Sequence, residues 1–161
     1  MAITIRPLTL ADEPFLWEML YQALYVPPGR PPFPRAILDE PDISRYVQGW
    51  GRAGDAGFAA QDGERPIGAA WLRLLIGDNR GYGYVDENTP ELSIAVLPAY
   101  RDQGVGSTLL TRLLEHAAPL YQAVCLSVTA ESRAVRLYQS FGFEVVRQGS
   151  TGLTMLKRWH A

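Results

Sequence analysis

Residues 91–110, ELSIAVLPAYRDQGVGSTLL, set an alternating run, a proline-containing turn, an arginine and two glycines directly ahead of a helical stripe. That order has a chemical use. Gly104 and Gly106 remove side chains where a ligand must approach the main chain, and the first turn of the following helix presents unpaired N–H groups at its positive dipole end. An anion such as a phosphate fits there. Two other phosphate motifs fail on single residues: Leu109 stands where a dinucleotide fingerprint needs its third glycine, and Ser107 stands where a P-loop needs its lysine.

The elements that must position this segment follow from periodicity. Ile3, Ile5 and Leu8 alternate as a strand, and Phe15, Leu16, Met19, Leu20, Ala23 and Leu24 recur as a helix, capped by Thr9 or Asp12, with Pro14 favouring the later start. Residues 26–34, VPPGRPPFP, are too proline-rich for regular structure, and a short helix is expected over Asp42–Trp50. Strands at Phe58–Gln61 and Ile67–Leu75 flank the hairpin signal Asp62-Gly63-Glu64-Arg65, and 77–90 reads as a second flexible loop. Glu91–Val96 is a strand with Leu92, Ile94 and Val96 on one face and Glu91, Ser93 and Ala95 on the other.

From Gly104 the stripe Val105, Leu109, Leu110, Leu113, Leu114 and Ala117 predicts an amphipathic helix stopped by Pro119. Val124–Val128 reads as a buried strand, Ser132–Phe141 as a helix ended by Gly142, and Phe143–Arg147 with Leu153–Lys157 as a closing hairpin. The order β, α, α, β, β, β, α, β, α, β, β is that of an α/β protein with a mixed sheet. No repeat or long linker divides it, so a single domain over 1–161 is expected.

Composition narrows the function. Fifteen Lys and Arg against seventeen Asp and Glu give a net charge of -2, without the basic footprint of a nucleic-acid partner. Cys125 stands alone, so no internal disulfide forms, and two separated histidines argue against a metal cage. Mid-strand in an apolar run, Cys125 reads as core rather than nucleophile. His116 falls on a wet helix face and His160 in the tail, so neither is a catalytic candidate. No signal peptide or membrane span is visible, so a cytoplasmic protein is expected.

Arg101-x-x-Gly104-x-Gly106 after a strand resembles the coenzyme A pyrophosphate loop of the GNAT superfamily of N-acetyltransferases. Further on, LSVTAESRAVRLYQSFGFEVV resembles the second GNAT signature through Leu137, Tyr138, Gly142 and Phe143. The close match spans residues 91–146, while the N-terminal half agrees in element order. One position departs, since Glu131 stands where the family often carries Asn.

The resemblance implies a GNAT-like fold, splayed at the middle strands, that moves an acetyl group from acetyl-CoA to a small-molecule or peptide amine without a covalent enzyme intermediate or a metal. It implies that Ile94, Ala95 and Val96 offer backbone groups to pantetheine beside a bulge, with Pro98 supporting a break just after them. Arg101, Asp102, Gln103, Gly104, Val105, Gly106 and Ser107 would form the diphosphate cradle, with Arg133 and Arg136 near the phosphates. Tyr138 matches the family's usual general acid, against a bland reading as a core aromatic. Glu91 is the candidate base, or equally a solvated strand-end charge. Phe33, Tyr82, Tyr84, Asp86 and Glu87 are candidate walls of the acceptor side. A non-catalytic acyl-CoA sensor or regulatory module is the alternative function, and a homodimer would fit the exposed closing strands.

Overall fold

The computed structural model describes residues 2–150 and 152–159; His160 and its expected place in the tail lie outside them. Seven strands, β1 (Ile3–Pro7), β2 (Ala56–Asp62), β3 (Arg65–Arg73), β4 (Glu91–Val96), β5 (Ala123–Val128), β6 (Glu144–Gly149) and β7 (Gly152–Arg158), form one sheet in the order β1-β2-β3-β4-β5-β7-β6. Every neighbouring pair is antiparallel except β4 and β5. Among the described residues four α-helices accompany it: α1 (Glu13–Ala23), α2 (Pro41–Ser44), α3 (Val105–Ala117) and α4 (Ala134–Ser140). Among the described residues no helix is long and apolar enough to cross a membrane.

The expected stripe of α3 is the heart of the larger core. Val105, Leu109, Leu110, Leu113, Leu114 and Ala117 are all buried and pack with Phe58, Ile67, Leu72, Leu92, Leu126 and Met155 from five strands. Cutting any of the three fully enclosed leucines, Leu109, Leu110 or Leu113, to alanine would cost about 2–5 kcal/mol. Tyr138 of α4 and Phe143 join this core. On the opposite face α1 supplies Leu16, Met19 and Leu20, and the segment around α2 supplies Ile43, Tyr46, Val47 and Trp50, against Ala69, Trp71 and Ala95. Alternation along β3 and β4 thus splits the sheet into two differently furnished faces.

Two expected elements differ most. The helix over Asp42–Trp50 shrinks to Pro41–Ser44 and continues as turns, because Gly49 and Gly51 sit at φ +73° and +109° and side chains of β3 capture the carbonyls that a helix would have used. The loop 77–90 is also more fixed than expected. It carries a 3₁₀ turn at Gly77–Asn79, and Arg147 of β6 donates to the carbonyls of Tyr82 and Tyr84 at 3.4 and 3.0 Å.

Candidate active site

The two middle strands part. β4 and β5 share one bridge, Glu91 with Cys125, where the Cys125 amide donates to the Pro90 carbonyl at 3.0 Å. Beyond it β4 follows β3, keeping an unbroken register from Arg73↔Glu91 to Gly68↔Val96. No bulge therefore interrupts the β3–β4 pairing, contrary to expectation, and the splay comes from the divergence of β5. Pro98 opens a 3₁₀ turn just past β4, at the expected break.

Register then decides which β4 groups are free. The Leu97 amide donates to the Ile67 carbonyl at 2.8 Å, so by alternation Ala95 and Ser93 also face β3. The main-chain groups of Ile94 and Val96 point the other way, into the wedge. Ala95, named with them from the sequence, is committed to β3 and offers the wedge nothing. The Val96 carbonyl already accepts from Arg101 Nε at 2.9 Å.

The cradle stands at the mouth of that wedge. Asp102 at φ +61° and Gly104 at φ +83° turn the chain into α3, whose N-terminus has no side-chain cap, so its first amides remain open. A Cβ on Gly104 would meet nothing within 4 Å, and one on Gly106 would lie only in ordinary contact with Leu137 and Ile94. Protein packing does not require glycine at 106. Glycine inside a helix costs about 1 kcal/mol relative to alanine, so the room it leaves suits a visitor, and the cradle fits a diphosphate.

The remaining cradle residues divide. Val105 is buried in the core and can present only its amide, while Ser107 is half-buried in the first turn. Gln103 Nε2 donates to the Ala99 carbonyl, bracing the turn. Arg101 folds back onto Val96 and onto Gln22 of α1 rather than over the glycines. Arg133 pairs with Asp102 at 3.3 Å, both exposed, which brings the start of α4 to the cradle; Arg136 and Glu131 are exposed.

Glu91 is no solvated strand-end charge. It is 3% exposed; its Oε2 accepts from the Tyr46 hydroxyl at 2.5 Å and from the Gly83 amide at 3.2 Å. Its Oε1 is the one fully enclosed side-chain polar atom without a partner among the described residues. Burial outweighs these bonds and pushes the carboxyl from the usual 4.5 up to about 7. Neighbouring Cys125 is fully buried and its thiol is pushed well up by that burial, which leaves it inert as a nucleophile.

Tyr138 lies on the other face of the sheet. It is 7% exposed, its ring meets Phe143 edge-on at 5.9 Å, and burial raises its phenol to about 12. The acceptor-side candidates separate as well. Tyr82 lines a cleft of about 160 Å³ with Asp42, Arg80 and Gly81, and its amide donates to the Tyr46 hydroxyl at 2.8 Å. Tyr84 stacks under Arg80, whose guanidinium carbon lies 4.2 Å from the ring centre, and Asp86 caps Asn88 and Thr89 of its own loop. Phe33 stays by α1, where Tyr21 bonds its carbonyl, and Glu87 is exposed. His116 is exposed against Phe58.

Sequence reasoning missed Tyr46, Gly81 and Gly83, which surround Glu91. A Cβ on Gly81 would run into Glu91 Oε1 and the Tyr46 hydroxyl, and one on Gly83 would come within 2.7–3.0 Å of the β5 backbone at Leu126 and Ser127. The alternation Gly81-Tyr82-Gly83-Tyr84 was the available signal.

Known structures share the fold that carries this site. The PaiA N-acetyltransferase of Thermoplasma acidophilum, solved with coenzyme A, is 18% identical with a TM-score of 0.69, covering 99% of this chain and 100% of its own. PH1933 of Pyrococcus horikoshii is 21% identical with a TM-score of 0.74, covering 99% and 100%. The ribosomal-protein-S18-alanine N-acetyltransferase of Escherichia coli is 21% identical with a TM-score of 0.66, covering 98% and 94%. No curated protein matches the sequence. These structures share the fold, and a family model described as the acetyltransferase (GNAT) domain matches residues 53–145, which take in β3, the parted strands and the cradle: the chain belongs to the GNAT acetyltransferase family.

Proposed function

We propose that this protein transfers an acetyl group from acetyl-CoA to a primary amine of a small molecule or peptide, by direct attack within a ternary complex. The observation that carries this reading is the wedge between β4 and β5, with Glu91 on one face of the sheet and Tyr138 on the other. Pantetheine is an extended amide chain, and the wedge-facing groups of Ile94 and the Val96 amide give it strand-like partners, the Val96 carbonyl being held by Arg101. The diphosphate rests on the open amides from Gly104 to Ser107. A main-chain N–H near Val96 is then placed to stabilise the tetrahedral oxyanion, a contribution of about 3–4 kcal/mol for a well-aimed donor.

Each face supplies one proton function. An alkylamine near pKa 10 is only about 0.1% neutral at pH 7, a penalty of roughly 4 kcal/mol, so the acceptor must lose a proton. Glu91, held near 7 with its free oxygen enclosed beneath Gly81, takes it through a water relayed from the cleft at Gly81 and Tyr82. Tyr138 serves the departing thiolate. Its phenol at about 12 lies well above a thiol at about 8.5, so it stabilises the thiolate by donating a hydrogen bond rather than by surrendering its proton.

The test is calorimetry with acetyl-CoA together with thiol release across a panel of amines. Uptake with release supports transfer; uptake without release from any amine favours the non-catalytic acyl-CoA module; no uptake overturns both. Tyr138→Phe should lower kcat about a hundredfold with acetyl-CoA affinity unchanged. Untouched turnover would reduce Tyr138 to packing.

A further inference from the structure

We infer that Tyr46 is the positioning residue of Glu91: its hydroxyl ties one carboxylate oxygen down and leaves the other to receive the acceptor's proton. This rests on the acetyl-transfer reading above.

The direction of the bond is fixed by a third group. The Tyr82 amide donates to the Tyr46 oxygen at 2.8 Å, so the single hydroxyl proton is turned toward Glu91 Oε2 at 2.5 Å. The Gly83 amide reaches the same oxygen at 3.2 Å. Both donors thus converge on Oε2, and Oε1 is left bare beneath Gly81. The two oxygens have unequal duties.

Tyr46 is itself held from β3. Trp71 Nε1 donates to the Tyr46 carbonyl at 2.9 Å, and Arg73 donates to the carbonyls of Arg45 at 3.0 Å and Gln48 at 2.5 Å. Arg73 is anchored by a two-point pair with Asp55 at 3.1 and 2.9 Å, the side chains being 1% and 2% exposed. A turn too irregular to hold its own carbonyls is thereby fixed by buried β3 side chains, and Tyr46 is delivered to one spot. Buried bonds of this kind define a geometry more sharply than exposed ones.

Several charged or titratable groups lie around the Glu91 end of β4. Tyr46 and Arg45 come from the turn after α2, Cys125 from β5 and Arg147 from β6; Arg73 is the register partner of Glu91 on β3, and Asp86 lies beyond Cys125 on the covering loop. Of these, Tyr46 alone donates a side-chain hydrogen bond to the Glu91 carboxylate. That bond favours the ionised form, so removing it should raise the affinity of Glu91 for its proton.

The test is Tyr46→Phe, read in two independent ways. The Glu91 carboxyl, followed by infrared titration as the difference from Glu91→Gln, should titrate about one unit higher. The acid limb of kcat/KM should move up with it, lowering activity about tenfold on that limb, with recovery at high pH and an unchanged KM for acetyl-CoA. Difluorotyrosine at position 46, a stronger donor of nearly the same size, should move both readouts downward and serves if the phenylalanine variant fails to fold. If both readouts stay put while Glu91→Gln is inactive, the positioning role falls and the transfer reading stands. Full turnover by Glu91→Gln would overturn the base assignment and this role together.

Discussion

Two Gly-x-Gly pairs sit at the parted strands, and they do opposite things. Around Gly104 and Gly106 the missing Cβ atoms leave space, whereas around Gly81 and Gly83 they are missing because Glu91, Tyr46 and the β5 backbone already fill the place. The first pair makes room for a ligand, and the second lets the protein close on itself. Glycine in a sequence signals close approach without saying what approaches.

The largest effect that sharpens this contrast is electrostatic and lies under the jammed pair. The folded-state value of Glu91, about 7, exceeds the usual 4.5, so the folded chain holds this proton more tightly than the unfolded chain. Its contribution to stability is full below 4.5 and is lost as pH rises through about 7, amounting to about 3 kcal/mol. Denaturant unfolding at pH 5 and pH 8 should show that loss in the wild type and not in Glu91→Gln. Equal slopes would mean the carboxylate is better solvated than its burial implies.

Next comes Gly83→Ala, whose new methyl meets the β5 main chain and should cost about 1–3 kcal/mol in the same assay. The smallest effect has the opposite sign. Gly106→Ala finds room and a better helix former, so it should stabilise the free protein by up to about 1 kcal/mol while weakening acetyl-CoA uptake in calorimetry. A Gly106→Ala protein that loses stability, or a Gly83→Ala protein that loses none, would break the distinction between the two pairs.

Much of the architecture was legible because its signals are local. The α3 stripe, the Asp62–Arg65 hairpin and the alternation of β4 all appear where periodicity put them. Pro14 falls near the start of α1, but the Asp12 carboxylate ahead of it accepts from Arg6 and the Thr9 amide and does not cap the helix. Ser132–Phe141 narrows to Ala134–Ser140, since end residues lack a full set of helical bonds. The cradle was legible for the same reason, as a short contiguous motif.

The environment of Glu91 was not. Its partner Tyr46 lies 45 residues earlier, in a turn whose shape depends on Arg73 and Trp71 of another strand. Nothing in the neighbourhood of either residue encodes that meeting. Whether Glu91 was wet or buried depended on where the 77–90 loop settles, and that loop is held by Arg147 from a strand more than fifty residues away.

A sheet that is joined at one bridge between β4 and β5 behaves as two leaves of a book on a short spine. Whatever lies between the leaves acts as the absent strand, so capture and stiffening become a single event. Amide deuterium uptake along both inner margins should therefore slow in concert when the gap is filled, and thermal resistance should climb with ligand concentration.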